Sequence, residues 1–159
     1  MLSIKRITLL LSLTPLLMLL LALLAQFGWG WEPCTMCVEI RFLLMAGSLL
    51  GLASLVLPGK SGLLLFVPAT FVFAAAAFLN TKLVLLERGV IDAFSCSPFP
   101  FYSHWTSLQD WMPSIFMSAG ICGQNDHLVL GVSFTIWTLI GIVLLALVHI
   151  WHMIRQAKA

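Results

Sequence analysis

Residues 30–57 read GWEPCTMCVEIRFLLMAGSLLGLASLVL. A Trp-Glu-Pro loop passes through Cys34-Thr35-Met36-Cys37 into an apolar run from Val38 to Leu57. Such a run of about 20 residues is what a helix needs to cross a hydrocarbon core about 30 Å thick. Three similar runs flank it, from Ile7 to about Trp29, from Leu63 to about Leu86, and from about Leu128 to Trp151. Backbone polar groups in lipid must be satisfied within the segment, so these runs are predicted to be helices. Barrel strands would alternate polar and apolar residues, and these runs do not. Of the 159 residues, 61% are hydrophobic and 9% charged, whereas soluble domains average about 45–50% and about 25%. That balance excludes a soluble globule or a disordered chain. A net charge of +2 is too small for a nucleic-acid binder. The predicted fold is an all-α membrane protein, one integral domain over residues 1–159. It is a four-transmembrane-helix bundle (spans about 7–29, 38–57, 63–86 and 128–151) embedded in the lipid bilayer.

The first run begins like a secretory signal, after Lys5-Arg6. Its apolar core, Ile7–Ala25, exceeds the usual length of about 7–15 residues and no Ala-x-Ala site follows, so it is predicted to stay as a span. Lys5, Arg6, Lys60, Arg155 and Lys158 fall on one side of four such spans. The acids Glu32, Glu39, Glu87, Asp92, Asp110 and Asp126 fall on or near the other. Basic loops stay in the cytoplasm, so both termini and the Pro58–Gly62 turn are predicted to be cytoplasmic. The outer loops are then about 30–37 and about 87–127. All four cysteines lie in those outer loops, on the side where disulfides persist. Because hydropathy, Lys and Arg alone set the topology, the cysteines agree with it independently.

Cys34-Thr35-Met36-Cys37 is a C-x-x-C. A bridge over two intervening residues closes so small a ring that it stabilises little by loop entropy, so it makes better sense as an exchangeable pair than as a staple. At the opening turn of a helix it also favours a thiolate. Arg41 lies one turn beyond Cys37 on the same face. An arginine at or inside a membrane boundary needs a partner. That partner could be a thiolate or an electron-rich cofactor oxygen. Alternatively, Arg41 snorkels to headgroups or pairs with Glu39, Glu32 or Glu87. Cys96 and Cys122 share the second loop, where their spacing permits a structural disulfide, a redox disulfide or, with the first pair, a zinc site. Between them Trp105, Leu108, Trp111, Met112 and Ile115 fall at helical spacing, predicting a short interfacial helix that Pro113 ends or bends. Ser97-Pro98-Phe99-Pro100 is predicted to be extended, a flank suited to docking a partner protein.

Taken together, Pro33-Cys34-Thr35-Met36-Cys37 with Arg41, and Trp111-Met112-Pro113-Ser114-Ile115-Phe116 leading to Gly120-Ile121-Cys122, resemble the disulfide bond formation protein B (DsbB) family of bacterial inner-membrane quinone reductases. The resemblance covers nearly the whole chain. It implies a protein-disulfide oxidoreductase of the cell inner membrane that reoxidises a periplasmic DsbA-like thiol oxidase of thioredoxin fold. It further implies that the partner attacks Cys96, that Cys122 is the pairing residue of Cys96, and that electrons then pass to Cys34–Cys37. From Cys37 they reach ubiquinone or menaquinone of the membrane pool, with Arg41 beside the quinone. Three departures stand out. The usual Glu-Arg after the C-x-x-C reads Ile40-Arg41 with the acid at Glu39. A Glu-His or Arg-His near the end of span three is replaced by Glu87-Arg88. The segment from there to Cys96 is short. These resemble paralogues dedicated to one specialised oxidase, of the DsbI kind.

Two other classes fit parts of the pattern. Vitamin K epoxide reductase-like quinone enzymes also join loop cysteines to a C-x-x-C, but theirs lies late in the chain, whereas here it opens span two. A membrane adaptor with two structural disulfides would keep both bridges under mild reductant. Elsewhere, His149 and His152 are expected at the inner interface and not as haem ligands. Gly47-x-x-x-Gly51 is expected to admit a neighbouring helix within the bundle. Trp29, Trp31 and Trp151 are expected in interface belts, and Pro15 and Pro68 to kink their spans tolerably.

Overall fold

In a computed structural model, residues 4–57, 60–124 and 127–157 are described. Asp126, Lys158 and Pro58-Gly59 of the short turn lie outside them. Four long helices form: α1 (Ile4–Trp29), α2 (Thr35–Val56), α3 (Lys60–Glu87) and, numbered in chain order with the elements below, α6 (Phe134–Ala157). Each is long and apolar enough to cross a membrane. The short connections after α1 and α2 make neighbours antiparallel. α6 runs antiparallel to α3, since Thr135 meets Glu87, Thr138 meets Asn80, and His149 stacks on Phe66. The Cys34 turn, the end of α3 and the start of α6 therefore share one end of the bundle, here the cysteine end. The start of α1 and the end of α6 share the other.

α3 shows how the core is built. Phe66, Ala69, Phe73, Ala76, Asn80 and Leu83 recur at helical spacing and are all buried, while Leu64, Phe71 and Phe78 on the far face are exposed. In lipid, helices gain by close packing and not by escape from water, so small residues let backbones approach. Gly47 of α2 faces the Phe73 ring, where an added Cβ would lie 2.7 Å from the ring carbons. Gly51 faces Ser12 of α1, and Ser48 Oγ donates to the Ser12 carbonyl. Both glycines thus serve packing inside the bundle. Pro15 and Pro68 sit inside α1 and α3 without ending them.

Two local readings of the sequence are corrected. Span four does not begin near Leu128. Leu128–Val129 (β1) and Val132–Ser133 (β2) pair antiparallel around Leu130 and Gly131, both at positive φ, and the helix starts at Phe134. Apolar hairpin residues count toward a hydropathy run just as helical ones do. The helix of the second loop is two single turns, α4 (Leu108–Trp111) and α5 (Pro113–Phe116). Pro113 disfavours the α region for the residue before it, and Met112 sits accordingly at φ −133°, ψ 65°. Near the inner end of α6, His149 and His152 are buried within the bundle. His152 Nε2 and Thr8 Oγ1 are 2.8 Å apart, and His149 Nδ1 lies 2.9 Å from the Leu145 carbonyl beneath the Phe66 and Phe73 rings.

Candidate active site

Cys34 closes the loop after α1 and is the N-cap of α2, with extended backbone (φ −77°, ψ 171°). Its Sγ accepts the Cys37 N–H at 3.2 Å, serving an amide that the helix leaves without an internal partner. Cys34 and Cys37 are disulfide-bonded, with Cα atoms 5.0 Å apart. Cys34 is fully buried, whereas Cys37 is half-buried and lines a cavity among α1, α2, α3 and α6. Met18, Leu19, Ile40, Leu44, Leu83 and Ile142 make its walls apolar, and Arg41, Asn80 and Thr138 supply polar atoms. Trp31 stacks on His127 at 4.4 Å between centroids, and both rings line the cavity.

Arg41 is 6% exposed. Its Nη1 donates to Gln26 Oε1 at 2.6 Å and to the Ile115 carbonyl at 3.1 Å. Two of the three acids expected as alternative partners, Glu39 and Glu87, are engaged elsewhere. Glu39 Oε1 accepts the Phe101 N–H at 2.8 Å, and Glu87 accepts from Thr135 and Ser133. Buried between α1 and the second loop, Arg41 does not snorkel.

Cys96 and Cys122 form the second disulfide, Cα atoms 6.4 Å apart, and both half-buried sulfurs pack against the cluster containing Cys34. The backbone around them is irregular, so side chains from the helices hold it. Lys82 Nζ donates to the Ser95 carbonyl at 2.8 Å and Gln26 Nε2 to the Ser114 carbonyl at 3.2 Å. The Ala119 and Gly120 amides donate to the Pro33 carbonyl at 3.1 and 3.0 Å, joining the Cys122 segment to the Cys34 loop. Gly120 passes so close that an added Cβ would lie 2.6 Å from the Glu32 carbonyl oxygen. Phe42 of α2 stacks on Tyr102 at 4.8 Å, and the Tyr102 hydroxyl donates to the Phe116 carbonyl at 3.4 Å. Burial, with the Glu39 charge adding to it, pushes the Tyr102 phenol up to about 12, so it stays a neutral donor. Ser97, Pro98 and Phe99 remain exposed beside Cys96.

Cys34, Cys37 and Arg41, on one hand, and the Cys96–Cys122 bridge, on the other, thus lie at one end of the bundle. Gln26, Tyr102, Asn80 and Lys82 complete the region and were not picked out from sequence. Their only signal is polarity inside or beside an apolar run.

The fold and its cysteines define a four-helix membrane bundle that carries two disulfides at one end. Comparison with known sequences specifies the family. The model of the disulfide bond formation protein DsbB family matches residues 4–152. Among relatives, Disulfide bond formation protein B of Shewanella denitrificans is 30% identical over 125 residues, covering 77% of this chain and 71% of its own. That of Aromatoleum aromaticum is 31% identical over 141 residues (82% and 81%), and that of Pasteurella multocida 29% over 147 residues (90% and 82%). The chain belongs to the DsbB family, whose members are membrane oxidoreductases of disulfide bond formation.

Proposed function

We propose that this protein is a thiol:quinone oxidoreductase of the bacterial inner membrane, with both termini cytoplasmic and both cysteine pairs periplasmic. It reoxidises a DsbA-like thiol oxidase and delivers the electrons to ubiquinone or menaquinone. The observation that carries this reading is that Cys37 and Arg41 face one apolar-walled cavity, while Cys34 is sealed behind them.

A thiolate of the reduced partner attacks the Cys96–Cys122 disulfide at Cys96, and Cys122 leaves as a thiolate. The second partner thiol resolves the mixed disulfide, so the partner leaves oxidised and Cys96 and Cys122 hold two electrons. A thiolate of that pair then attacks the Cys34–Cys37 disulfide, and resolution re-forms Cys96–Cys122. Cys37 is left as the thiolate facing the cavity. Its position in the first turn of α2 favours the anion, because the helix N-terminus carries partial positive charge. Arg41 sets a fixed positive charge on the same wall, held in place by Gln26 and the Ile115 carbonyl. A quinone held beside Cys37 and Arg41 would supply the two-electron, two-proton acceptor for the thiols, and Cys34–Cys37 would close again. The apolar walls suit the quinone ring and exclude water from the thiolate.

The test is a stoichiometric titration without quinone. Oxidised protein mixed with excess reduced partner should consume two partner dithiols per chain, one for each disulfide. Adding a short-chain quinone should restore both bridges. Consumption of no partner dithiol would contradict the relay.

A further inference from the structure

The buried stripe of α3 carries two polar side chains: Thr70, whose hydroxyl donates to the Phe66 carbonyl at 3.1 Å, and Asn80, which is 1% exposed. Its Nδ2 donates to Thr138 Oγ1 at 2.9 Å, and its Oδ1 has no hydrogen-bond partner. The Thr138 hydroxyl gives its own proton to the Thr135 carbonyl at 2.9 Å, so towards Asn80 it only accepts. The amide orientation follows: the amino group turns to Thr138, and the carbonyl oxygen is left over. A buried acceptor without a partner is rare and costly, so it calls for an explanation.

The cavity supplies one. Asn80 lines the same cavity as Cys37 and Arg41. Arg41 lies six residues into α2 and Asn80 seven residues before the end of α3. At 1.5 Å per residue they stand about 9 and about 10 Å from the cysteine end, on two walls at one depth.

Building on the quinone reading above, we propose that Asn80 is the second polar contact of the quinone ring and binds its reduced form preferentially. An oxidised quinone offers only carbonyl acceptors. Facing these, the orphan Oδ1 of Asn80 has nothing to accept. A quinol carries O–H groups, and Oδ1 takes one of them. The residue thereby gains a hydrogen bond when the ring has received its two electrons and two protons. Thr138 is the positioning residue that holds the amide this way round.

The test compares purified wild type, Asn80→Leu and Thr138→Val, freed of endogenous quinone. It measures calorimetric binding of a short-chain ubiquinone and its quinol, with a redox titration of the bound quinone. Asn80→Leu should weaken quinol binding about tenfold and quinone binding no more than about twofold, the worth of one hydrogen bond. That fivefold change in selectivity lowers the midpoint potential of the bound quinone by about 20 mV. Thr138→Val should weaken quinol binding about threefold in the same sense. Unchanged binding of both forms by Asn80→Leu, or equal weakening of both, would overturn the proposal and leave Asn80 a packing residue or the seat of a buried water. If Asn80→Leu does not accumulate, unchanged quinol binding by Thr138→Val would overturn it equally. Wild type that binds neither form would instead overturn the quinone reading itself, and this proposal with it.

Discussion

The two disulfides occupy opposite kinds of structure. Cys34–Cys37 is built into the first turn of a long helix. One sulfur caps that helix and is fully buried, and the other faces a cavity in the bundle. Cys96–Cys122 closes irregular chain, with exposed Ser97-Pro98-Phe99 beside it, and hydrogen bonds from α3 and to α2 and the Cys34 loop hold its surroundings. A helix terminus fixes a thiolate's position and stabilises its charge. A loop can yield to an incoming protein. Under the proposed function, that difference is a division of labour, in which the loop pair would meet the soluble partner and the helix pair the quinone.

The sharpest way to break that comparison is to remove one cysteine from each region. Cys37→Ser should abolish quinone reduction while a mixed disulfide with the partner still forms at Cys96. Cys96→Ser should abolish that mixed disulfide. Gel analysis of alkylated samples distinguishes the two, and normal turnover by Cys37→Ser would end the division of labour. Next in size, Arg41→Ala removes charge-assisted hydrogen bonds and leaves Gln26 and the Ile115 carbonyl without their donor. The apparent KM for quinone should rise about 10- to 100-fold, with partner exchange little changed. An unchanged quinone dependence would leave Arg41 a purely structural anchor.

Smaller changes probe how the loop is held. Gly120→Ala sets a Cβ against the Glu32 carbonyl and should cost about 1–3 kcal/mol. The cost should appear as faster proteolysis of the second loop at intact α-helical content, and unchanged proteolysis would show that the loop can shift. Tyr102→Phe removes a long hydrogen bond only and should cost no more than about 0.5 kcal/mol in thermal unfolding. A large loss would mean that the phenol anchors more than the Phe116 carbonyl.

How much was legible in the sequence follows from which signals are periodic or local. The four helices were legible because membrane crossing demands long apolar runs. The place of Cys34 and Cys37 in the entry turn of α2 was legible because the apolar run begins at Val38, whereas the cap by Cys34 Sγ was not. The hairpin before α6 was not, since Leu128, Val129, Leu130 and Val132 are as apolar as a span. Arg41 was visible as an anomaly, but its partners were not. Gln26 is 15 positions away and the Ile115 carbonyl 74, and no local pattern joins them. The burial of His149 and His152 was not legible, because hydropathy ranks histidine with surface residues. In the fold, Thr8 and the Leu145 carbonyl meet their ring nitrogens, and phenylalanines cover them.

The central claim is that cavity-facing Cys37 passes the partner's electrons to a quinone. The most direct measurement mixes the purified protein with a reduced thioredoxin-fold oxidase and a soluble quinone analogue and follows the quinone absorbance. The band should disappear in wild type in step with partner oxidation, and persist in Cys37→Ser. A band that persists in wild type, with ubiquinone and menaquinone analogues and across several partners, would contradict the claim and leave two structural bridges in a membrane bundle.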